Sequence, residues 1–376
     1  MSTPWAEGQP ITIEQGCLLA YRIFDMCDEI SLDAAERLLE DAPGRRRVRF
    51  TREGAQAMEF ASPPLDMDLG KRTVDLVTRP GTEVDLSVRF FDYGAVSVEF
   101  ELTIPPGTRL EDLLPLCDEL YESTRLEELA RHEVDQLMPR LKEATAGRHA
   151  FRGVETYSVV FVEKLHGPPI TELADSPLLA KLIVGEAGKK ALSADARRDV
   201  LRHAHSYLED DLTIIDWNSA FVLEPSGSRD IPQLLELATS QLLELRYYDT
   251  LLDAELVHIY DDYAIARREW SSLFRSPYEK LTRNVLRRFV ELTEFTERVD
   301  NALKVVGDFY LARVYQSAVR RFRISDWRDS IDAKQALVAR SYDLLKGEVD
   351  IRRSTVLEVI VIVLIAVELV AAFRGH

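Results

Sequence analysis

The run Ser354–Phe373, STVLEVIVIVLIAVELVAAF, constrains this chain more than any other stretch, because thirteen of its twenty residues are Val, Ile, Leu or Phe. A helix rises about 1.5 Å per residue, so such a run reaches across a hydrocarbon core of roughly 30 Å and predicts one C-terminal transmembrane helix. Glu358 and Glu368 lie inside it. The apolar side chains favour insertion by about 4 to 8 kcal/mol against about 2.5 to 3.5 kcal/mol for a central acid, so insertion is expected to survive them. At 100° per residue their spacing sets the two carboxylates about 80° apart, a polar side for a partner helix. The competing reading is a buried core helix whose carboxylates are satisfied inside the protein.

Arg352 and Arg353 precede the run and only Arg374 follows it, which by the positive-inside tendency keeps the N-terminal body cytoplasmic. The start, MSTPWAEGQP, has neither the basic region nor the apolar core of a secretory signal. The expectation is a tail-anchored, single-pass protein with the lipid bilayer as a partner through 354–373.

Charge is unevenly spread along the 376 residues: 1–276 carry 30 Lys+Arg against 50 Asp+Glu, whereas 277–350 carry 14 against 12. An acidic body repels phosphate backbones, which argues against general DNA binding and leaves only local basic patches for anionic partners. Cys17, Cys27 and Cys117 form no metal-ligand spacing and fit a reducing compartment with unbridged, structural thiols.

Val84, Leu86, Val88 and Phe90 alternate with polar residues, and after Asp92-Tyr93-Gly94 the pattern resumes from Val96 to Ile104, predicting a hairpin with one buried and one wet face. Pro105-Pro106-Gly107 ends it, and an acidic amphipathic helix over about 110–144 is expected to cover the sheet. Further strands are predicted near Cys17–Phe24, Val48–Thr51, Thr73–Thr78 and Thr156–Leu165. The fold class is therefore α+β, a largely antiparallel sheet head with covering helices, then a long helical hairpin stalk and the terminal transmembrane helix. The expected divisions are a head over 1–192, a hairpin and helical junction over 193–276, an antiparallel helical stalk over 277–353 and the membrane helix over 354–373. Spacings of three and four residues from Leu292 to Val314 and from Ile331 to Val349 mark the stalk arms, with Ser325 or Asp326 as N-cap of the second.

Three blocks carry a family resemblance: Asp211–Val222, Gln241–Asp253 with Ile259-Tyr260-Asp261, and the Leu-Glu start and Glu-containing end of Leu357–Leu369, with Arg321-Phe322 and Trp327 fitting as well. Together they resemble the required-for-meiotic-nuclear-division family, membrane proteins with a shared domain of unknown function. That resemblance implies a C-terminal anchor, a coiled-coil-like segment before it and no known reaction. Mitochondrial members are associated with the inner membrane and with translation there; the short N-terminus departs from theirs and points to a bacterial-type member in the cytoplasmic membrane.

Gly185-Glu-Ala-Gly188-Lys189-Lys190 lacks the glycine spacing and the hydroxyl residue of a phosphate loop, so an exposed turn is expected. His203 and His205 stand near Glu209, Asp210 and Asp211, but two histidines two apart on a helix point about 200° away from each other, unlike zinc ligands. No cofactor or metal is expected. Glu244, Arg246, Asp249 and Asp253 interleave with leucines and tyrosines and are expected to form a structural ion network. Arg320, Arg321, Arg323 and Arg328 bracket the turn between the arms and are the candidate contacts for an anionic macromolecule, RNA or an acidic protein.

These features predict a non-enzymatic, membrane-tethered scaffold that is a homo-oligomer through its stalk and anchor, with Glu358 and Glu368 on the polar face of the membrane helix. The alternative is a metal-dependent hydrolase-like enzyme using the His203/Asp211/Asp216 region.

Overall fold

A computed structural model of the protein describes residues 9–41, 44–48, 59–60, 62–121, 123–147, 153–188, 190–268, 303–304 and 309–374. The chain divides into two units, Met1–Glu244 with Arg298–Ser325, and Leu245–Glu297 with Asp326–His376. The main elements are β1 (Thr12–Asp25), α1 (Leu32–Leu38), β2 (Leu65–Val74), β3 (Thr82–Phe90), β4 (Ala95–Thr103), α2 (Leu114–Tyr121) and α3 (Thr124–Leu137). They continue with β5 (Val154–His166), α4 (Pro177–Val184), α5 (Ala194–Leu201), β6 (Leu212–Ile215), β7 (Ser219–Leu223), α6 (Asp230–Arg268), α7 (Phe309–Arg321) and α8 (Ile324–Arg374).

The result is mixed α+β with one large sheet. Ten strands run in the order Ala204–His205, β6, β7, β5, β1, β4, β3, β2, Arg46–Arg47, with Thr108–Arg109 beside β1. Every neighbouring pair is antiparallel except β5 with β7. The β3–β4 hairpin falls where alternation places it. Pairing on both edges makes β1 the central strand, and period-two geometry sends Leu18, Ala20 and Phe24 to one face and Cys17, Leu19 and Tyr21 to the other.

The first face packs on Leu116 and Leu120 of α2, Leu126, Ala130 and Val134 of α3, and Leu179 and Leu182 of α4. The helix expected over 110–144 is broken, because the Ser123 hydroxyl accepts from the Leu126 amide at 3.4 Å and starts a new helix there. The second face is not wet, contrary to expectation. Arg89 and Ser97 on it are buried, since the first half of α6 lies over them and is itself buried at every residue from Leu234 to Glu244.

The stalk expected over 277–353 falls largely outside the described residues. Leu303 and Lys304 pair as a strand with Phe60 and Glu59, and helix begins again at Phe309. Arg323 has φ +54°, the left-handed region, and α8 starts at the next residue, ahead of the N-cap expected at Ser325 or Asp326.

Ser354–Phe373 belongs to the end of α8. Among the described residues no helix is long and apolar enough to cross a membrane. The expected transmembrane helix, its bilayer partner and the placement in the cytoplasmic membrane are corrected by that finding. The uninterrupted apolar run between Glu358 and Glu368, Val359–Val367, rises only about 13.5 Å, less than half of a roughly 30 Å core.

Candidate functional site

A row of side chains crosses the second face of the sheet in register: Arg46 opposite Asp66, Asp66 opposite Arg89, Arg89 opposite Ser97, and Ser97 opposite Ile23. The Arg89 guanidinium grips Asp66 with two bonds, Nε to Oδ1 at 2.6 Å and Nη2 to Oδ2 at 2.9 Å, and donates from Nη1 to Glu236 of α6. Glu99 faces the same group. Burial works against the charge of Arg89, but Glu236 and Asp66 outweigh it and keep it protonated. One cation thus faces three carboxylates. Burial, which outweighs the attraction of Arg89, pushes Glu236 up to about 8, with Glu99 adding repulsion. Burial raises Glu99 as well. The band clamps α6 to the sheet; Glu236 is 1% exposed, so no ligand reaches it.

At the start of α6, Arg229 donates to Cys17 Sγ at 3.2 Å and to Glu101 Oε1 at 2.9 Å while lying over the Phe161 ring at 4.3 Å. All three cysteines are free and buried, and burial pushes each thiol up to about 12, which makes them poor nucleophiles.

The sequence-predicted residues His203, Asp211 and Asp216 do not converge. Asp211 and Asp216 flank β6 at its two ends. Asp211 accepts from the amides of Tyr207 at 2.7 Å and Leu208 at 3.2 Å, clamping the preceding loop. Asp216 accepts from Arg321 Nε at 2.6 Å, and Arg321 also reaches Asp199 at 2.9 Å. His203 Nδ1 lies 3.1 Å from the Ser317 hydroxyl. That resembles a base beside a nucleophile, yet Ser317 is 0% exposed in α7 and no substrate carbonyl can approach it. Burial and the nearby Arg321 lower the basicity of His203. Among the described residues no group of three His, Cys, Asp or Glu side chains is placed to hold a metal ion. Gly185 ends α4 in the left-handed conformation at φ +72°, so the glycine-lysine stretch opens with a helix cap.

Of the arginines expected at the turn, Arg321 is committed to Asp216 and Asp199, Arg320 and Arg323 are exposed, and Arg328 is half-buried. The expected ion network separates. Glu244 lies in the first unit, and burial together with Asp25 and Asp28 pushes its carboxyl well above the usual range. In the second unit Lys334 of α8 bridges Asp249 at 2.8 Å and Asp253 at 2.6 Å, Ser330 donates to Asp249 at 2.7 Å, and Arg246 lies over the Trp327 ring at 5.9 Å. Glu358 is exposed on α8; the Glu368 side chain lies outside the described residues.

Sequence reasoning missed Asp66, Arg89, Glu236 and Lys334. A hint existed in Arg89 and Ser97, polar residues at facing positions of a hairpin otherwise rich in Val and Phe, but the α6 partner of Arg89 is 147 residues away.

The model of one protein family, described as uncharacterized protein MJ0711, N-terminal domain, matches residues 15–229. An uncharacterized protein of Methanocaldococcus jannaschii, MJ0711, is 21% identical over 246 residues, covering 65% of this chain and 73% of that protein. No solved structure matches. These matches correct the resemblance to the required-for-meiotic-nuclear-division family, which rested on short blocks and on an apolar helix end that the family match at 15–229 does not reach. The family match covers most of the sheet, from β1 to β7, and by it the chain belongs to the family of the MJ0711 N-terminal domain.

Proposed function

We propose that the protein is a non-enzymatic scaffold that assembles with copies of itself through the C-terminal end of α8. The observation that carries this reading is the exposure of Leu357, Val359–Ile365, Val367, Leu369 and Val370, with values from 43% at Val359 to 64% at Ile362. Seven consecutive exposed residues, 359–365, cover every direction around a helix at 100° per residue. Side chains of this size expose on the order of 900 Å² together, well above the few hundred Å² that a lone chain ordinarily leaves bare, and burying them contributes about 20 kcal/mol before the entropy of association. A helix apolar on all sides is satisfied by several neighbours rather than by a single seam. The structural tasks of His203, Asp211 and Asp216 support the same reading against the hydrolase alternative, because each is engaged in packing the first unit.

Sedimentation equilibrium of the full chain and of a chain ending at Arg353 tests it. Three or more copies are expected for the first and a lower order for the second. A monomer at both lengths would return the helix end to an exposed tail without an assembly role.

A further inference from the structure

Next to Asp199, α5 and the segment before α4 border an open concavity of about 780 Å³ lined by Asp175, Asp195, Arg197, Arg198, Asp199 and Arg202, together with Leu201. That volume lies in the range of small-ligand sites. Two of its three carboxylates are already neutralised: Asp195 accepts from Arg198 at 2.5 Å, and Asp199 from Arg321 at 2.9 Å. Among the described residues, Arg197 and Arg202 take no carboxylate, although this chain holds 64 acidic residues against 47 basic ones. Beside the concavity, burial first and then Arg321, Arg202 and Arg320 oppose protonation of His203, against Asp199. His205 feels burial, His203, Arg313 and Arg320 in the same direction. Burial first, and neighbouring cationic groups after it, make both imidazoles less basic, and that second share marks a local positive field in a chain of net charge −17.

We propose that this concavity binds the phosphate group of a small phosphorylated compound, with Arg197 and Arg202 on the phosphate oxygens. Guanidinium forks match phosphate oxygens in geometry and stay charged at any physiological pH. Asp175 repels a bare dianion but accepts from a hydroxyl, so the ligand carries its phosphate on a hydroxylated carbon frame. A long polyanion fits less well, because beyond a Debye length of about 8 Å the acidic body contributes only repulsion along its track. The site is independent of the assembly surface on α8, and each can fail without the other.

Line broadening of the ³¹P resonances of inorganic phosphate and of glucose 6-phosphate on adding the full chain tests the proposal, with a ten-nucleotide uridine RNA as a third probe. The expected result is broadening by both small probes, stronger for the sugar phosphate, reduced roughly tenfold in affinity by Arg202→Gln and by Arg197→Gln. Among the described residues neither arginine has a carboxylate partner to lose, so far-UV circular dichroism of the variants should match the parent. Absence of broadening, broadening that persists unchanged in both variants, or binding of the RNA alone each overturns the proposal, the last by replacing it with a polyanion surface.

Discussion

Replacing Glu236 with Gln probes the charge band that fastens α6 to the sheet. In the native protein burial pushes the Glu236 carboxyl up to about 8 from an ordinary 4.5, despite the guanidinium of Arg89 beside it. A group whose folded pKa lies above its unfolded one contributes stability that is complete below about 4.5 and lost as pH rises through about 8. Every tenfold difference in proton affinity between the folded and unfolded chain is worth about 1.4 kcal/mol, so the native protein should lose about 4 kcal/mol through this group between pH 5 and 8.5. Gln keeps the shape and cannot ionise. Urea unfolding followed by circular dichroism at half-unit pH steps, with the variant subtracted from the parent so that other titrations cancel, measures that loss. The two proteins should agree within about 1 kcal/mol at pH 5, and the variant should be the more stable by about 3 kcal/mol at pH 8.5. A variant weaker by a constant 3 to 5 kcal/mol, roughly the cost of breaking a buried pair, at every pH would mean that Glu236 is ionised and paired with Arg89, contrary to the raised pKa.

Other changes act through packing and backbone. Gly94 sits at φ +101°, and a Cβ there would run into the carbonyl oxygen of Cys27, so Gly94→Ala should lower the melting temperature far more than Gly107→Ala, where φ is +79° but no atom lies within 4 Å; equal shifts would contradict the close approach. Phe100, 0% exposed in the core under α2 and α3, should cost about 3 to 5 kcal/mol when cut to Ala, read from urea midpoints; a loss under about 1 kcal/mol would mean the core collapses around the gap. Lys334→Met leaves Asp249 and the more exposed Asp253 facing each other without their cation, and should speed amide exchange in residues 326–340 of α8 by several-fold; unchanged exchange would show that the bridge does not hold α8 in place.

Where residues act on near neighbours, the sequence was legible. Alternation placed β3, β4 and β5, and the Asp216-Trp217-Asn218 turn between β6 and β7 could be read from its polar interruption of two apolar runs. The Ser123 cap that splits α2 from α3 is also a local signal, overlooked because acidic amphipathic spacing continues through it. What could not be read is which face of a strand finds a second layer. Arg89 and Ser97 look like solvent-facing residues until α6, more than 100 positions later, covers them. The same distance hid the cation of the α6 network: Arg246 is near Asp249 in sequence, but Lys334 from α8 makes the bridge. For the terminal helix, total apolarity suggested a span, while the position of two carboxylates decides how much of it is continuous.

The most direct test of assembly through α8 is a cysteine placed in the middle of the exposed run. Cys17, Cys27 and Cys117 are buried, so the thiol of Val363→Cys is the accessible one under mild oxidation. Assembly through this helix predicts disulfide-linked dimers of Val363→Cys at protein concentrations where Lys71→Cys, exposed on the sheet, yields none. Equal crosslinking at both positions, or none at position 363, would contradict it.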